Sequence, residues 1–407
     1  MEGYVLILIV GFLLFDYLVD TFLSILNMRN WQTDVPGNLQ DFYPSAKYKE
    51  ARLYTRERMQ LHYVSSAFQV AIILVMIFGG GFALIDEFAE SVVSNPIGHS
   101  LVFLFVLFLG SDILLLPFQW YSVFSIEERF GFNKTTRTTF VTDKLKSYFI
   151  AAIIGGGMFW LLSGIYFAIP DYFWLLAWGI ITVFSLLMTM FYSNVIVPLF
   201  NRQTPLEQGE LRDSIEKFAG NTGFVLKNIF VINGSKRSTK TNAYFTGIGS
   251  QKRIVLYDTL IERHTTNEIV AVLAHEIGHY RKKHVLTGFA ISTATMLGLL
   301  YMLNIVLSIP DFALALGMQP SLHASLLVFA MLFSPVSMLI SIFSNIVSRR
   351  HEFAADRFAK ENGVGEALAD ALKKLSVDNL SNLTPHRLYV FVNYSHPPVV
   401  ERLKNLL

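Results

Sequence analysis

LVFLFVLFLGSDILLLPFQWYSVF, residues Leu101 to Phe124, contains no Lys or Arg and a single carboxylate, Asp112. Its length matches an α-helix that crosses the hydrocarbon core of a bilayer. Six more apolar stretches of similar length also lack Lys and Arg: Tyr4 to Leu26, Val64 to Leu84, Tyr148 to Phe167, Phe173 to Phe200, Val285 to Leu307 and Ala324 to Val347. The composition agrees, since 53% of the 407 residues are hydrophobic, 14% are aromatic and only 16% are charged, too apolar for an ordinary water-soluble domain. The expected fold class is mainly α, a polytopic membrane protein with seven transmembrane helices.

Charge placement orients these spans. The 33 Lys and Arg residues fall in four blocks, Arg29 to Arg58, Arg129 to Lys146, Arg202 to Lys283, and Arg349 onward. The other connections, around Asp86, Glu87 and Glu90, around Asp171, and around Asp311, carry acids only. Threading seven spans alternately puts every basic residue on one side, which the positive-inside rule makes cytoplasmic. The amino terminus is then outside and the carboxy terminus inside. The first stretch contains Asp16 and Asp20 and lacks a basic region before it, so it is expected to stay in the protein as a span. The absence of cysteine excludes disulfides and thiolate metal ligands, and a net charge of +2 gives no reason to expect nucleic acid as a partner.

The basic block before the sixth span holds His275-Glu276-Ile277-Gly278-His279. On a helix, residues four apart share a face, so both imidazoles reach one ion while Glu276 points aside, toward a water it can deprotonate. The preceding Asn267, Glu268, Ile269, Val270, Val272 and Leu273 form an amphipathic helical pattern, with Thr265 or Thr266 as its cap. This pattern is the signature of a zinc peptidase. A catalytic zinc keeps one position open, so two histidines need a third protein ligand from elsewhere, and without cysteine a carboxylate is the natural candidate.

Four segments organise the chain: 1–200 with the first five spans, 201–284 as an α+β cytoplasmic domain, 285–348 with the last two spans, and 349–407 as a helical carboxy-terminal segment. In the α+β domain, Leu206 to Phe218 reads as a helix. Asn228 to Val231, Ala243 to Ile248 and Arg253 to Tyr257 read as strands, separated by Asn233-Gly234 and Gly249-Ser250 turn signals. Gly79-Gly80-Gly81 and Gly155-Gly156-Gly157 mark close packing or bends inside spans.

After the seventh span comes Ser348-Arg349-Arg350-His351-Glu352-Phe353-Ala354-Ala355-Asp356. With Asn242-Ala243-Tyr244-Phe245, Ser395-His396-Pro397-Pro398 and Glu128-Arg129-Phe130-Gly131-Phe132-Asn133, it resembles the type-1 CAAX prenyl endopeptidases, integral-membrane zinc metallopeptidases. The resemblance runs over nearly the whole chain. It implies one Zn2+ per chain held by His275, His279 and Glu352, with Asp356 supporting a zinc histidine. The spacing is compatible, because Glu352 and Asp356 are i and i+4 on one helical face. It also implies His396 and Arg402 near the substrate carbonyl or carboxylate, Asn242 at the cleft edge, and a water-filled chamber inside the ring of spans. The run Ala243, Tyr244 and Phe245 would then bind substrate by offering backbone hydrogen bonds to an extended strand.

The expected function is zinc-dependent endopeptidase activity at the cytoplasmic face, on a peptide or protein substrate of the prenylated CAAX type. Other partners are the lipid bilayer but no nucleic acid, and a monomer is compatible with the sequence. Two alternatives stand beside it: a membrane quality-control metalloprotease of the heat-shock type, and a heptahelical receptor or transporter carrying a chance motif. The short termini lean toward a prokaryotic plasma membrane, with the endoplasmic reticulum as the other candidate. His284 and His351 fall off the metal-facing side by spacing and read as interfacial. Asp16, Asp20 and Asp112 within spans face a wet chamber, or, for the first two, reach the headgroups.

Overall fold

The computed structural model describes residues 2–36, 39–224, 229–246 and 253–407, the side chain of residue 2 excepted. The membrane part begins with α1 (Glu2–Arg29), α2 (Ser45–Phe78), the short α3 (Gly81–Val92) and α4 (Pro96–Tyr121), which a π-helical turn carries on to Glu127. α5 (Arg137–Ile150) passes through a second π-helical stretch, Ala151–Gly156, into α6 (Gly157–Ala168). α7 (Phe173–Val195) and α8 (Val197–Phe200) complete the fifth span. Next come β1 (Gln203–Pro205), α9 (Glu210–Asn221), β2 (Ile229–Ile232), β3 (Ala243–Thr246), β4 (Arg253–Tyr257), α10 (Asp258–Arg263) and α11 (Thr266–Arg281). The chain re-enters the membrane as α12 (His284–Leu307) and passes the single turn α13 (Asp311–Leu314), α14 (Leu322–Leu332) and α15 (Ser334–Glu361). It ends with α16 (Gly365–Asp378), α17 (Arg387–Asn393) and α18 (Val399–Leu406).

Among the described residues six helical units are long and apolar enough to span a bilayer, and the pair α14–α15, bent by 57°, makes a seventh when taken as one span. Two expected spans differ in detail. The second ends at Phe78, not Leu84, because Gly80 takes the left-handed φ of 68° and turns the chain into α3, which packs against α4. The seventh is broken at Phe333, where Pro335 at the start of α15 removes a backbone donor. Gly155 and Gly156 lie in the π-helical stretch, so that triplet does interrupt regular helix inside a span. Only 6% of the most apolar window is buried in four of the spans, so most side chains of these helices are not packed within the protein.

Polar groups in the spans find partners. Asp112 accepts from Lys144 at 2.6 and 2.8 Å, from Gln119 at 3.0 Å and from the Tyr148 hydroxyl, tying α4 to α5. A cross-helix ion pair, rather than chamber water alone, therefore accounts for its place in the bilayer. Asp20 on α1 lies 2.6 Å from His62 on α2.

The sheet has the order β1-β2-β4-β3, with β2 and β4 parallel and both outer pairs antiparallel. β1 was not legible as a strand, being three residues with a proline and only intermediate or exposed positions. Asn228, Gly247 and Ile248 of the expected strands, and the Gly249-Ser250 turn signal, lie outside the described residues. Ile254, Val255 and Leu256 of the central β4 are fully buried, and Ile254 and Leu256 join Ile215 of α9 and Ile269 and Leu273 of α11 in one core. Each such side chain stabilises by about 1.5–3 kcal/mol. This core fixes α11 on the sheet.

Candidate metal centre

α11 begins with a complete capping box: Thr265 Oγ1 accepts from the Glu268 amide, and Glu268 accepts from the Thr265 amide. Glu268 also pairs with Lys374 of α16 at 2.6 Å, so the cap joins two helices. One side of α11 buries Ile269, Leu273 and Ile277, and another turns His275 and His279 toward α15, its most extensive neighbour.

There His275 Nε2 and His279 Nε2 stand 3.1 Å apart. Glu352 brings Oε2 to 3.4 Å from His275 Nε2 and Oε1 to 3.2 Å from His279 Nε2. One ligand atom from each of the three lies within 4.8 Å of the others. Nitrogen, nitrogen and carboxylate oxygen converging in this way are a zinc donor set. The buried Glu352 Oε2 has no hydrogen bond of acceptable geometry, which an ion would remedy. The residues fit the ion.

Asp356, wholly buried, sits behind this trio, with Oδ1 2.9 Å from His275 Nδ1. Arg402 of α18 forks onto the same carboxylate through Nε at 2.9 Å and Nη2 at 2.6 Å, and its Nη1 lies 3.4 Å from Glu352 Oε2. Arg402 Nη2 also comes within 3.3 Å of His275 Nδ1, but that nitrogen cannot accept from arginine while donating to Asp356. The shorter, oppositely charged Asp356 contact places the proton on Nδ1 and leaves the Nε2 lone pair for a metal.

Without an ion, burial and the Arg402 charge oppose a charged His275, yet Asp356 and Glu352 outweigh them and hold its pKa up to about 9. Burial likewise opposes the Arg402 charge, while Asp356, Glu352 and Glu276 raise it. Glu276 is therefore within electrostatic reach of the site. His396 is exposed and reaches to 3.5 Å from Glu352 Oε1. Together with Tyr394, Ser395, Pro397 and Arg402 it lines a cavity of about 430 Å³.

β3 pairs with β4 alone among the described strands, so its outer edge is unpaired by strand. Asn242, just before it, turns its side-chain oxygen back to the Ala243 amide at 2.8 Å, and its carbonyl accepts from the Tyr257 amide. Tyr244 and Phe245 are partly buried, Phe245 packing on Phe224 and Tyr280.

His284 and His351 lie outside the trio but beside it. His284 Nδ1 lies 3.0 Å from His279 Nδ1, and His351 stacks on His284 with centroids 3.9 Å apart and planes at 7°. Lys283 takes φ 59° and turns the chain between α11 and α12, bringing His284 back to His279.

Comparison with known proteins extends these observations. The family model for the CAAX prenyl protease N-terminal region, five membrane helices, matches residues 24–202, and that for peptidase family M48 matches residues 205–407. The chain is 35% identical over 412 residues to the CAAX prenyl protease 1 homolog of Arabidopsis thaliana, covering 97% of this chain and 96% of the plant protein. It is 34% identical over 418 residues to CAAX prenyl protease 1 of Saccharomyces cerevisiae, at 95% and 92% coverage. The corresponding Homo sapiens homolog is 32% identical, at 96% and 92% coverage. The crystal structure of S. mikatae Ste24p matches with a TM-score of 0.93 and 33% identity over 99% of both chains.

Proposed function

The chain belongs to peptidase family M48 and to its CAAX prenyl protease branch, membrane metalloendopeptidases, and we propose that its ion is zinc, held by His275, His279 and Glu352. The observation that carries this reading is the convergence of two Nε2 atoms and a carboxylate on one point, beside a buried Glu352 oxygen with no hydrogen bond. Whole-length similarity to named peptidases removes any reason to read the motif as chance in a receptor or transporter. The relatives named above are CAAX prenyl proteases, which favours that reading over the heat-shock type of quality-control protease.

Zinc, when bound, supplies a Lewis acid that polarises the scissile carbonyl and makes water acidic near neutrality. Glu276 accepts the proton of the attacking water and returns it to the leaving amine. His396, exposed beside Glu352, donates its N–H to the oxygen on which negative charge develops. Asp356 fixes the His275 tautomer, and Arg402 holds Asp356 and lies against Glu352, so it acts through those two carboxylates as well as on substrate. Asn242 shapes the entry to β3, and the backbone of Ala243, Tyr244 and Phe245 pairs with an extended substrate, which the unpaired edge supports.

The substrate is a carboxy-terminal CAAX tail carrying a prenyl group, with the lipid seated among the spans. The active site faces the cytoplasm and the amino terminus lies outside, a reading that rests on the one-sided distribution of basic residues. The plant, yeast and human relatives give no support to the leaning toward a prokaryotic membrane, and the charge asymmetry suits the endoplasmic reticulum equally.

The test is mass spectrometry of products from matched farnesylated and unmodified peptides. Cleavage of the farnesylated peptide, abolished by a chelator and restored by zinc, is expected. Equal rates on both peptides would remove the prenyl requirement, and no cleavage of either by zinc-loaded protein would overturn the peptidase reading.

A further inference from the structure

Among the described residues one other cluster offers three metal-type ligand atoms within 4.8 Å: Asp86, His99 and His323. They come from three elements, α3, the first turn of α4, and the first turn of α14. α3 connects the second and third spans, and α14 opens the seventh, whereas α11 precedes the sixth. Alternate threading therefore puts this cluster at the opposite end of the helical ring from His275.

The geometry is tight and largely closed to solvent. Asp86 Oδ1 lies 2.7 Å from His99 Nε2 and 2.7 Å from His323 Nε2. His323 is 1% exposed and Asp86 7%, while His99 forms the partly open side. Phe103 packs its ring 4.6 Å from that of His323, within an apolar core that includes Val5, Ile9, Phe82 and Val328.

Asp86 Oδ1 is the shorter and charged contact of His323, so without an ion the ring proton sits on Nε2, with Ser321 Oγ beside it at 3.1 Å. Ser100 Oγ lies 2.9 Å from His323 Nδ1 and 2.9 Å from the Pro96 carbonyl. A metal ion would take the place of the Nε2 proton between the ring and the carboxylate. The ring then carries its proton on Nδ1, where Ser100 Oγ accepts it while donating its own hydrogen to the Pro96 carbonyl, an orienting partner of the kind Asp356 is for His275. The second histidine, His99, presents Nε2 to the same oxygen and, at 3.1 Å, to the Asp86 carbonyl.

We propose that Asp86, His99 and His323 bind a second transition-metal ion, zinc by the chemistry of two imidazole nitrogens and one carboxylate oxygen. Bonds of about 2.0–2.1 Å in a tetrahedral site set the donor atoms about 3.3 Å apart, so the 2.7 Å contacts open by about 0.6 Å on loading. The ion clamps α3 to α4 and α14 and closes that end of the ring. Its role is structural, and it takes no part in the hydrolysis at His275.

Metal analysis after equilibrium dialysis against buffered zinc tests this on the full-length protein in detergent. Wild type should bind two zinc ions per chain, and a count of one overturns the proposal. His275→Ala/His279→Ala should retain one ion, and X-ray absorption should show two imidazole nitrogens and carboxylate oxygen around it; a count of zero overturns the proposal whatever the fate of the peptidase reading. His99→Gln, at the partly open position where folding is least at risk, should lower the wild-type count from two to one and abolish the part of the thermal stabilisation by zinc that the His275→Ala/His279→Ala protein retains. An unchanged count would likewise overturn it.

Discussion

Gly278 and Ala355 meet closely where α11 crosses α15: a β-carbon on Gly278 would stand 3.1 Å from the Ala355 Cα and 3.2 Å from its carbonyl oxygen. Phe358 Cβ would lie at 3.1 Å as well. These contacts are tighter than most β-carbons make, and two of them are to backbone that yields only if a helix moves. Gly278 lies between the metal histidines, and Ala355 lies between Glu352 and Asp356. Gly278→Ala should therefore push the ligand-bearing helices apart by a few tenths of an ångström at a cost of about 1–3 kcal/mol. Zinc affinity and peptidase rate should both fall about tenfold or more, with Gly278→Val worse, as measured by chelator competition and peptide turnover. Retention of both in Gly278→Ala would show that the helices have slack here.

Glu276→Gln keeps the shape of the side chain and removes its basicity. Zinc content should be unchanged while hydrolysis falls by about 10²–10⁴. A variant that still cleaves at near wild-type rate would assign proton transfer to another group.

Asp356→Asn takes away the anion that both His275 and Arg402 address. Zinc affinity should drop about 10–100-fold. The buried arginine also loses its partner, so the melting temperature should fall, consistent with about 3–5 kcal/mol for a broken buried pair. Normal zinc retention in a destabilised protein would confine Asp356 to the Arg402 pairing.

His264 supplies a pH dependence away from the metal. It is buried after α10, and burial lowers its pKa, with Glu268, Asp378 and the Leu260 backbone only partly opposing and Lys374 reinforcing. The unfolded chain, with an ordinary histidine near 6.5, then binds more protons than the folded one as pH falls. Stability from this residue is complete above about pH 6.5 and declines below it, by at most about 1.4 kcal/mol per pH unit. His264→Phe should flatten that part of the melting-temperature profile between about pH 7.5 and 5.5. An identical acid slope in the variant would place the proton uptake elsewhere.

How much of this was readable beforehand depended on whether the signal was local. The spans, the Thr265 cap and the helix carrying His275 and His279 are written in composition and in helical period, and they stand where that reading put them apart from the early end of the second span and the break in the seventh. Glu352 needed the resemblance, since a carboxylate after a span has many possible partners. Gly278 looked like one more small residue until α15 lay against it. The return of His284 depended on a left-handed Lys283, which no periodicity reports. Asp86, His99 and His323 are separated by so much chain that only the assembled ring brings them together.

α15 runs as one helix from its break beside Phe333 to Glu361, so Glu352 is carried on the same rigid rod that crosses the lipid. Ser334 and Glu352 are about 27 Å apart along its axis at 1.5 Å per residue. A rotation of about one degree about the break would swing the Glu352 carboxylate by about 0.5 Å, more than the roughly 0.2 Å a coordination bond tolerates. With Glu352 as the proposed ligand, turnover is expected to vary with the acyl-chain length of the surrounding lipid even when substrate is presented in water.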